Sequence, residues 1–266
     1  MFRKVAFFPL LLTILLFTIF CLSTFAGAAF ADERFPDGDI QWILDQYQVA
    51  EPASLIPAEG LTGWTRYGGG SLAARSKWRN QDGTIIFENS DNTRDFQGGD
   101  IVTAREYTNF VLDFAWIASQ RCNSGIKYRV KDFGRTGARH ATGWLGCEYQ
   151  ILNDGTNSNR ESTASLYHVF APDSTRKSVN PHGQVNTGRI IVLDNHIEHW
   201  LNGEKVMQCE VGSEEWKEAI KASKFIRDNG EFFGFGENPT GFIILQDHGH
   251  TVTFEKLVIR EIGDKK

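Results

Sequence analysis

The chain lacks a basic run interleaved with aromatic residues, the pattern that marks many nucleic-acid-binding surfaces. After residue 31 it also lacks any apolar stretch long enough to cross a bilayer. Cysteine is scarce, with 4 residues in 266, and no C-x-x-C pair or His/Cys spacing typical of zinc is present. We therefore expect the folded part to have neither nucleic acid nor a membrane as its partner.

The first 31 residues have the features of a cleavable signal peptide. Arg3 and Lys4 form a charged start, Val5 to Phe20 is almost wholly apolar, and Ala29-Phe30-Ala31 supplies small residues for signal peptidase. An uncleaved membrane anchor is the alternative, which the small residues at the end of the segment disfavour. The sequence thus predicts a protein exported to the periplasm or secreted.

Removal of that segment leaves 235 of the 266 residues, enough for one domain with a full core. This part carries 33 acidic residues against 26 basic ones, because Arg3 and Lys4 are the only charged residues among the first 31. Residues 32–54 are interpreted as an N-terminal lead-in, with Asp39 capping a short helix that contains Trp42. Residues 55–263 are predicted to form the domain itself.

Three cysteines follow the predicted signal peptide, in a compartment where disulfides persist. Cys122 and Cys147 each stand at the start of a predicted strand. If those strands are neighbours, we expect these two residues to form a disulfide. Cys209 lies in the apolar-flanked VMQCEV and is expected to be a buried thiol.

From Leu61 onward the pattern is that of short β-strands rich in aromatic and β-branched residues, separated by Gly, Asn and Asp. Asp194-Asn195 and Asn202-Gly203 tolerate positive φ, so residues 189–209 are predicted to form a three-stranded meander. One helix, capped by Ser213, interrupts the strands. Many strands and one short helix predict an all-β antiparallel sandwich of the jelly-roll type.

Strand alternation separates core residues from candidate ligand-binding residues. In WLGCEYQIL, Trp144, Glu148 and Gln150 point away from the apolar set, and Arg129 is expected to share their face if NSGIKYRV is the neighbouring strand. An aromatic ring beside a carboxylate and an amide is typical of a carbohydrate groove. An ordinary solvated face is the alternative, which we favour for Lys127.

Histidines raise the same choice between core and site. His199 shares an apolar face with Ile197, so a buried core histidine is the simplest interpretation when it is considered alone. In GFIILQDHG, however, Gln246 and His248 follow an apolar strand and share a face. Since unpaired polar groups are costly to bury, we expect residues 246–248 to form the rim of a groove. The sequence leaves the roles of His140 and His168 open.

Six segments, in order, carry a family resemblance: NSGIKYRV, GCEYQIL, SLYHVFAP, IEHWLNGEKV, ASKF and GFIILQDHG with VTFEKLVIREI. They resemble the 3-keto-disaccharide hydrolase domain, and AEGLTGWTRYGG matches its opening element. The resemblance covers about residues 55–263 and implies a concanavalin A-like jelly roll. It also implies an exported enzyme of glycan breakdown that acts on glycosides oxidised at C3 of the sugar.

The resemblance implies a site on the concave sheet, from which we assign roles. The catalytic candidates are Glu148, His199 and His248. The substrate-binding candidates are Asn123, Arg129, Trp144, Gln150, Tyr167, Trp200, Gln246 and Asp247.

The chemistry expected of such a site starts from the acidity of C2–H beside a 3-keto group. A base removes that proton, the C1 substituent leaves by β-elimination, and water completes a net hydrolysis if it adds back. His199 or His248 suits the base, and Glu148 suits the acid for the leaving group. Arg129, Gln246 or a divalent metal would stabilise the enolate; no metal-ligand spacing is evident, and no cofactor is predicted with certainty.

Two other functions remain open at this point. A conventional glycoside hydrolase would use Glu148 with a second carboxylate such as Asp247. A non-catalytic carbohydrate-binding module would use the same groove without a tuned histidine, since jelly rolls host lectins and enzymes alike. Cleavage of a 3-keto-glucoside but not of its parent glucoside would separate the three.

Overall fold

The computed structural model describes residues 32–67, 70–72, 76–89, 99–134, 143–227 and 229–266. The predicted signal peptide and His140 lie outside the described residues. Residues Arg34–Lys266 form one compact unit, to which all elements below belong. No helix in the described part is long and apolar enough to cross a membrane.

The described elements are short strands with two short helices. The strands are β1 Tyr47–Val49, β2 Ala53–Ser54, β3 Trp64–Thr65, β4 Trp78–Gln81, β5 Thr84–Phe87, β6 Ile101–Thr103, β7 Phe110–Ala118, β8 Asn123–Asp132, β9 Trp144–Leu152, β10 Val185–Leu193, β11 His196–Leu201, β12 Glu204–Glu210, β13 Phe242–Leu245 and β14 Val252–Lys265. The helices are α1 Gln41–Gln46 and α2 Glu214–Lys221, and a 3-10 turn spans Asp37–Ile40.

These strands form two antiparallel sheets. The larger has the order β12-β11-β10-β7-β14-β5-β4, with β1 and β2 also paired to β14, and the smaller has the order β3-β6-β13-β8-β9. Asp194 and Asn202 have φ of 52° and 49°, as the predicted meander of β10, β11 and β12 requires. The predicted all-β antiparallel sandwich is therefore confirmed.

The core lies between the two sheets and is densely aromatic. Phe114 and Trp116 of β7 meet Tyr149 of β9, with ring centroids 5.0 Å and 6.0 Å apart, and all three side chains are fully buried. Because Tyr149 alternates with Glu148 and Gln150 along β9, the same strand presents polar side chains on its other face. The packing of the core thus holds that polar face in place.

The lead-in is part of the larger sheet, because β1 and β2 both pair with β14. The prediction that Asp39 caps the first helix is wrong. Ile40 occupies the N-cap position of α1 and makes no side-chain cap, while Asp39 lies 3.2 Å from the guanidinium of Arg189. The cap of α2 is as predicted, since the Ser213 hydroxyl accepts a hydrogen bond from the Trp216 N–H.

The predicted disulfide is also wrong, because Cys122, Cys147 and Cys209 are free, buried thiols. Cys147 pairs across the sheet with Tyr128, six residues from Cys122. At about 3.3 Å per residue this register separates the two cysteines by roughly 20 Å along the strands, far beyond disulfide reach. The strands are neighbours as expected, but their register keeps the two thiols apart.

Candidate active site

A cleft of about 170 Å³ opens on the face of the smaller sheet that points away from the core. Strands β8 and β9 and the end of β13 form its floor, and two loop segments form its wall. The lining residues are Asn123, Lys127, Leu145, Gly146, Glu148, Gln150, Tyr167, Lys224, Phe225, Gln246 and His248.

Glu148 lies on the floor of the cleft and is only 6% exposed. Gly125, on the neighbouring strand, makes room for it, because a Cβ atom there would lie 2.5 Å from Glu148 Oε1. Burial raises the pKa of Glu148 to about 7, against the opposing effect of Lys127 and Lys224. A carboxyl group with this pKa exists in both protonation states near neutral pH and can exchange protons with a substrate.

Amide side chains surround this carboxyl group. When the amide of Gln150 is oriented so that its oxygen and its nitrogen both have suitable partners, the nitrogen donates to Ser124 O at 2.8 Å and to Glu148 Oε1 at 3.1 Å. The side chain of Gln246 also hydrogen-bonds to Glu148. Asn123 Oδ1 and Gln246 Oε1 are buried and have no partner among the described residues. Two acceptors that belong to cleft-lining residues thus have unused hydrogen-bonding capacity.

Lys127 lies opposite Glu148 across the β8–β9 pair and also lines the cleft. Its ammonium group donates to Asp100 Oδ2 at 2.9 Å, and the Tyr67 hydroxyl donates to the same oxygen. Burial opposes its charge, but Asp100, Tyr67 and Glu148 outweigh that effect and raise the pKa of Lys127. The expectation of a solvated lysine is therefore wrong, and the side chain is a fixed cation in the cleft.

The wall of the cleft comes from the segment after α2 and from a loop after β9. Lys224 places its ammonium group 4.2 Å from the ring centroid of Tyr167, a cation–π contact. Burial lowers the pKa of Lys224, with Glu148 acting in the opposite direction. Neither Lys224 nor Phe225 was among the predicted site residues. The segment ASKF, which supports the family resemblance, contains both and was the available signal.

The end of β13 brings two of the three predicted rim residues, Gln246 and His248, to the cleft. Leu245 is fully buried, Gln246 reaches the floor, and His248 is exposed and lines the cleft. Burial and the nearby charge of Lys127 lower the pKa of His248 below its ordinary value, so its imidazole is neutral at neutral pH. Gln246 and His248 therefore meet Glu148 in one cleft, as expected.

Asp247 does not line the cleft. It points to the other side of its segment, where its Oδ1 accepts from the Gly249 N–H and its own N–H donates to Asp100 Oδ1. Burial raises the pKa of Asp247 to about 6. This residue supports the rim and Asp100 rather than facing a ligand.

The structure contradicts the prediction that His199 is a candidate base. Its side chain is fully buried between the sheets, its Nδ1–H donates to Ala164 O at 3.0 Å, and its Nε2 accepts from the Tyr128 hydroxyl at 2.7 Å. Burial lowers its pKa to about 3. The ring has neither access to the cleft nor a free nitrogen, and it is the core histidine that its apolar face indicates.

Arg129 and Trp200 were substrate-binding candidates, but the structure places neither in the cleft. A bulge between Tyr128 and Lys131 gives Arg129 a φ of 51° and turns its side chain into the protein, where it donates to Gly236 O at 3.1 Å and to Asp194 O. Trp200 lies on the outer face of the larger sheet and donates to Glu198. Neither residue lines the cleft.

Trp144 is on the expected face but beside the cleft, between Tyr67 and Phe242. The structure thus brings together six predicted site residues, namely Asn123, Glu148, Gln150, Tyr167, Gln246 and His248. In the described part of the chain, no group of three or more His, Cys, Asp or Glu side chains has an arrangement that would hold a metal ion.

An antiparallel sandwich with a polar, partly aromatic cleft across its smaller sheet defines the class of protein: a jelly roll with a small-molecule site of carbohydrate-binding character. Residues 51–260 match the family of the 3-keto-alpha-glucoside-1,2-lyase-like domain, and the chain belongs to that family. The resemblance noted from the six sequence segments is confirmed.

Relatives of known name or structure agree with this membership. The chain is 30% identical over 228 residues to the 3-keto-disaccharide hydrolase of Bacteroides thetaiotaomicron, covering 78% of this chain and 77% of that protein. A provisionally assigned glycosyl hydrolase of Parabacteroides distasonis has 28% identity and a TM-score of 0.65, covering 80% of this chain and 94% of its own. A second such structure from that organism has 20% identity, a TM-score of 0.55, and coverage of 79% and 99%; it shows the shared fold.

Proposed function

We propose that this chain cleaves 3-keto-glycosides by removing the C2 proton and eliminating the C1 substituent. The observation that carries the proposal is the environment of Glu148, a buried carboxyl group with a pKa of about 7 in a cleft with a fixed lysine. The family and the name of the Bacteroides relative support the choice of substrate.

His248 is the base in this proposal. It lines the cleft, and the lowered pKa leaves its imidazole neutral and able to accept a proton at neutral pH. The C2–H bond breaks, its proton passes to the imidazole, and the electron pair forms an enolate with the C3 carbonyl. A neutral imidazole in the cleft suits this step, because it can accept a proton without first losing one.

Lys127 stabilises the enolate oxygen. Asp100 fixes the ammonium group in the cleft at 2.9 Å, so its charge is in place before negative charge develops on the substrate. A preorganised cation in a partly buried site costs no reorganisation during the reaction. This role replaces the one predicted for Arg129, whose side chain is turned into the protein.

Glu148, in its protonated form, donates to the glycosidic oxygen as the C1–O bond breaks. The enolate electrons form the C1=C2 double bond, and the alcohol departs with the proton from Glu148. Addition of water, with its oxygen joining C1 and a proton returning to C2, gives the net hydrolysis product. Without that addition the reaction ends as a lyase reaction.

A conventional glycoside hydrolase needs two carboxyl groups across the scissile bond. Among the described residues that line the cleft, Glu148 is the single carboxylic acid. Asp247, the predicted second carboxylate, points elsewhere and is bound by the Gly249 N–H. This arrangement favours the elimination route over direct displacement.

The test is a comparison of a 3-keto-glucoside with its parent glucoside. We expect release of the alcohol from the oxidised sugar alone, and a loss of about 10²–10⁴-fold with His248→Ala. His182→Ala, which alters an exposed histidine outside the cleft, is the matched control. Cleavage of the parent glucoside at a similar rate, or full activity of His248→Ala, would contradict the proposal.

We also propose that the chain is exported and cleaved after Ala31, because the first 31 residues have a charged start, an apolar run and a small-residue end. The N-terminal sequence of the protein recovered from periplasm or culture medium tests this. We expect it to begin at Asp32, and a protein that retains Met1 in the membrane fraction would refute the proposal.

A further inference from the structure

Three aromatic side chains form a strip beside the cleft, on the same face of the smaller sheet. Ring centroids of Tyr67 and Trp144 are 5.5 Å apart, and those of Trp144 and Phe242 are 5.6 Å apart. Beneath them lie the buried side chains of Val102, Val130 and Ile244. The three rings themselves are half-buried, so their outer sides form the surface of this aromatic strip.

The aromatic strip is continuous with the cleft. Trp144 stands two residues before Gly146, which lines the cleft, and this spacing is about 7 Å along a strand. The Tyr67 hydroxyl donates to Asp100, the residue that fixes Lys127. A sugar held over Lys127 and Glu148 therefore has the strip within reach of its substituent.

The chemistry of the strip favours an aromatic ring over a second sugar. Its six side chains are aromatic or aliphatic, and the Tyr67 hydroxyl is already engaged with Asp100. Asp132, which lies across the strand pair from Trp144, is an exposed carboxylate, but its Oδ1 already accepts a hydrogen bond from the Gly134 N–H. A second sugar would therefore find few partners for its hydroxyl groups on this surface. A flat apolar ring instead gains offset or edge contacts with the rings already there.

We propose that the aromatic strip binds the leaving group of the substrate and that this leaving group is an aromatic alcohol. The assignment of the strip as a leaving-group site rests on the proposed function of the cleft. The expected substrate class is therefore aryl 3-keto-glycosides rather than disaccharides.

Binding of unoxidised glucosides tests the strip without turnover. Phenyl, methyl and glucosyl glucosides, in both anomeric forms, are titrated by calorimetry or ligand-observed NMR. We expect the phenyl compound to bind about tenfold more tightly than the methyl compound, equivalent to about 1.4 kcal/mol. Trp144→Leu, which keeps an apolar side chain over Val130 but removes the flat ring, should abolish that preference. Trp42→Ala, at an exposed tryptophan on α1, should keep it.

Tighter binding of the glucosyl glucoside than of the phenyl one would overturn the aromatic assignment in favour of a second sugar. Equal binding of all three, or an unchanged phenyl preference in a folded Trp144→Leu, would overturn the strip as a subsite. Turnover is measured separately. A retained phenyl preference without cleavage of any 3-keto-glycoside would contradict the proposed function while supporting the aromatic subsite.

Discussion

Replacing Gly125 by Ala is the sharpest test of the role assigned to Glu148. The new Cβ atom would lie 2.5 Å from Glu148 Oε1 and 3.0 Å from its Cγ, whereas ordinary contacts begin at 3.4 Å. The carboxyl group must therefore move by about 0.9 Å. It cannot do so without disturbing its hydrogen bonds with Gln150 and Gln246.

A misplacement of about 1 Å at a catalytic group typically costs on the order of 10²-fold in rate. The stability cost should be at the low end of the roughly 1–3 kcal/mol that overpacking causes, because the displaced atoms belong to a side chain and not to the backbone. We expect kcat/KM for a 3-keto-glucoside with a poor leaving group to fall about 100-fold, and less for one with an activated aryl leaving group.

The assay measures alcohol release from both substrates, together with thermal unfolding. Gly38→Ala is the matched control, because a Cβ there meets nothing within 4 Å. A folded Gly125→Ala protein with wild-type kcat/KM on both substrates would refute the role of Glu148 as the acid.

Three further predictions concern protonation, the two histidines and the thiols. The rate of cleavage should fall on the acid side, where His248 becomes protonated, at a lower pH than for an ordinary histidine because its pKa is lowered. It should also fall above about pH 7, where Glu148 loses its proton. The charge of Lys127 lowers the pKa of His248 and of Glu148, so Lys127→Met should move the acid and the alkaline limb of the normalised pH–rate profile to higher pH. A profile whose limbs stay in place would contradict this effect of Lys127. His199→Ala should lower the free energy of unfolding by about 2–5 kcal/mol, because it leaves a cavity and two unpaired polar groups, but should not change the activity per folded molecule. His248→Ala should lower the activity and leave the free energy of unfolding unchanged. Chemical denaturation and kinetics of both variants test this. The unfolded, unreduced protein that lacks the signal peptide should titrate three free thiols. A count of one would show that two of the three cysteines form a disulfide.

Local sequence patterns predicted much of this protein because they follow from local physics. Alternation placed Cys147 and Tyr149 in the core and Glu148 and Gln150 outside it, and that alternation depends only on the pleat of one strand. The turn at Asn202-Gly203 and the Ser213 cap were likewise predictable, since positive φ and an unpaired N–H each select a few residue types.

The error at Arg129 arises from a bulge. In β8, one extra residue between Tyr128 and Lys131 turned Arg129 inward, and no side-chain pattern in NSGIKYRV announces that bulge. A bulge reverses the alternation beyond it, so a correct assignment of the strand still gives a wrong face.

Pairing between segments that are distant in the sequence decided the positions of the cysteines and the environment of Lys127. The register of β8 against β9 kept the cysteines apart, and Asp100, just before β6, converted Lys127 from a surface residue into a fixed cation. The sequence by itself determined the family, the sandwich and most of the floor of the cleft, because strand pattern and the ordered motifs carry that information locally. Only the tertiary structure decided which histidine faces the cleft and which carboxyl group has a pKa near 7, because burial and neighbouring charges are properties of the assembled sheets.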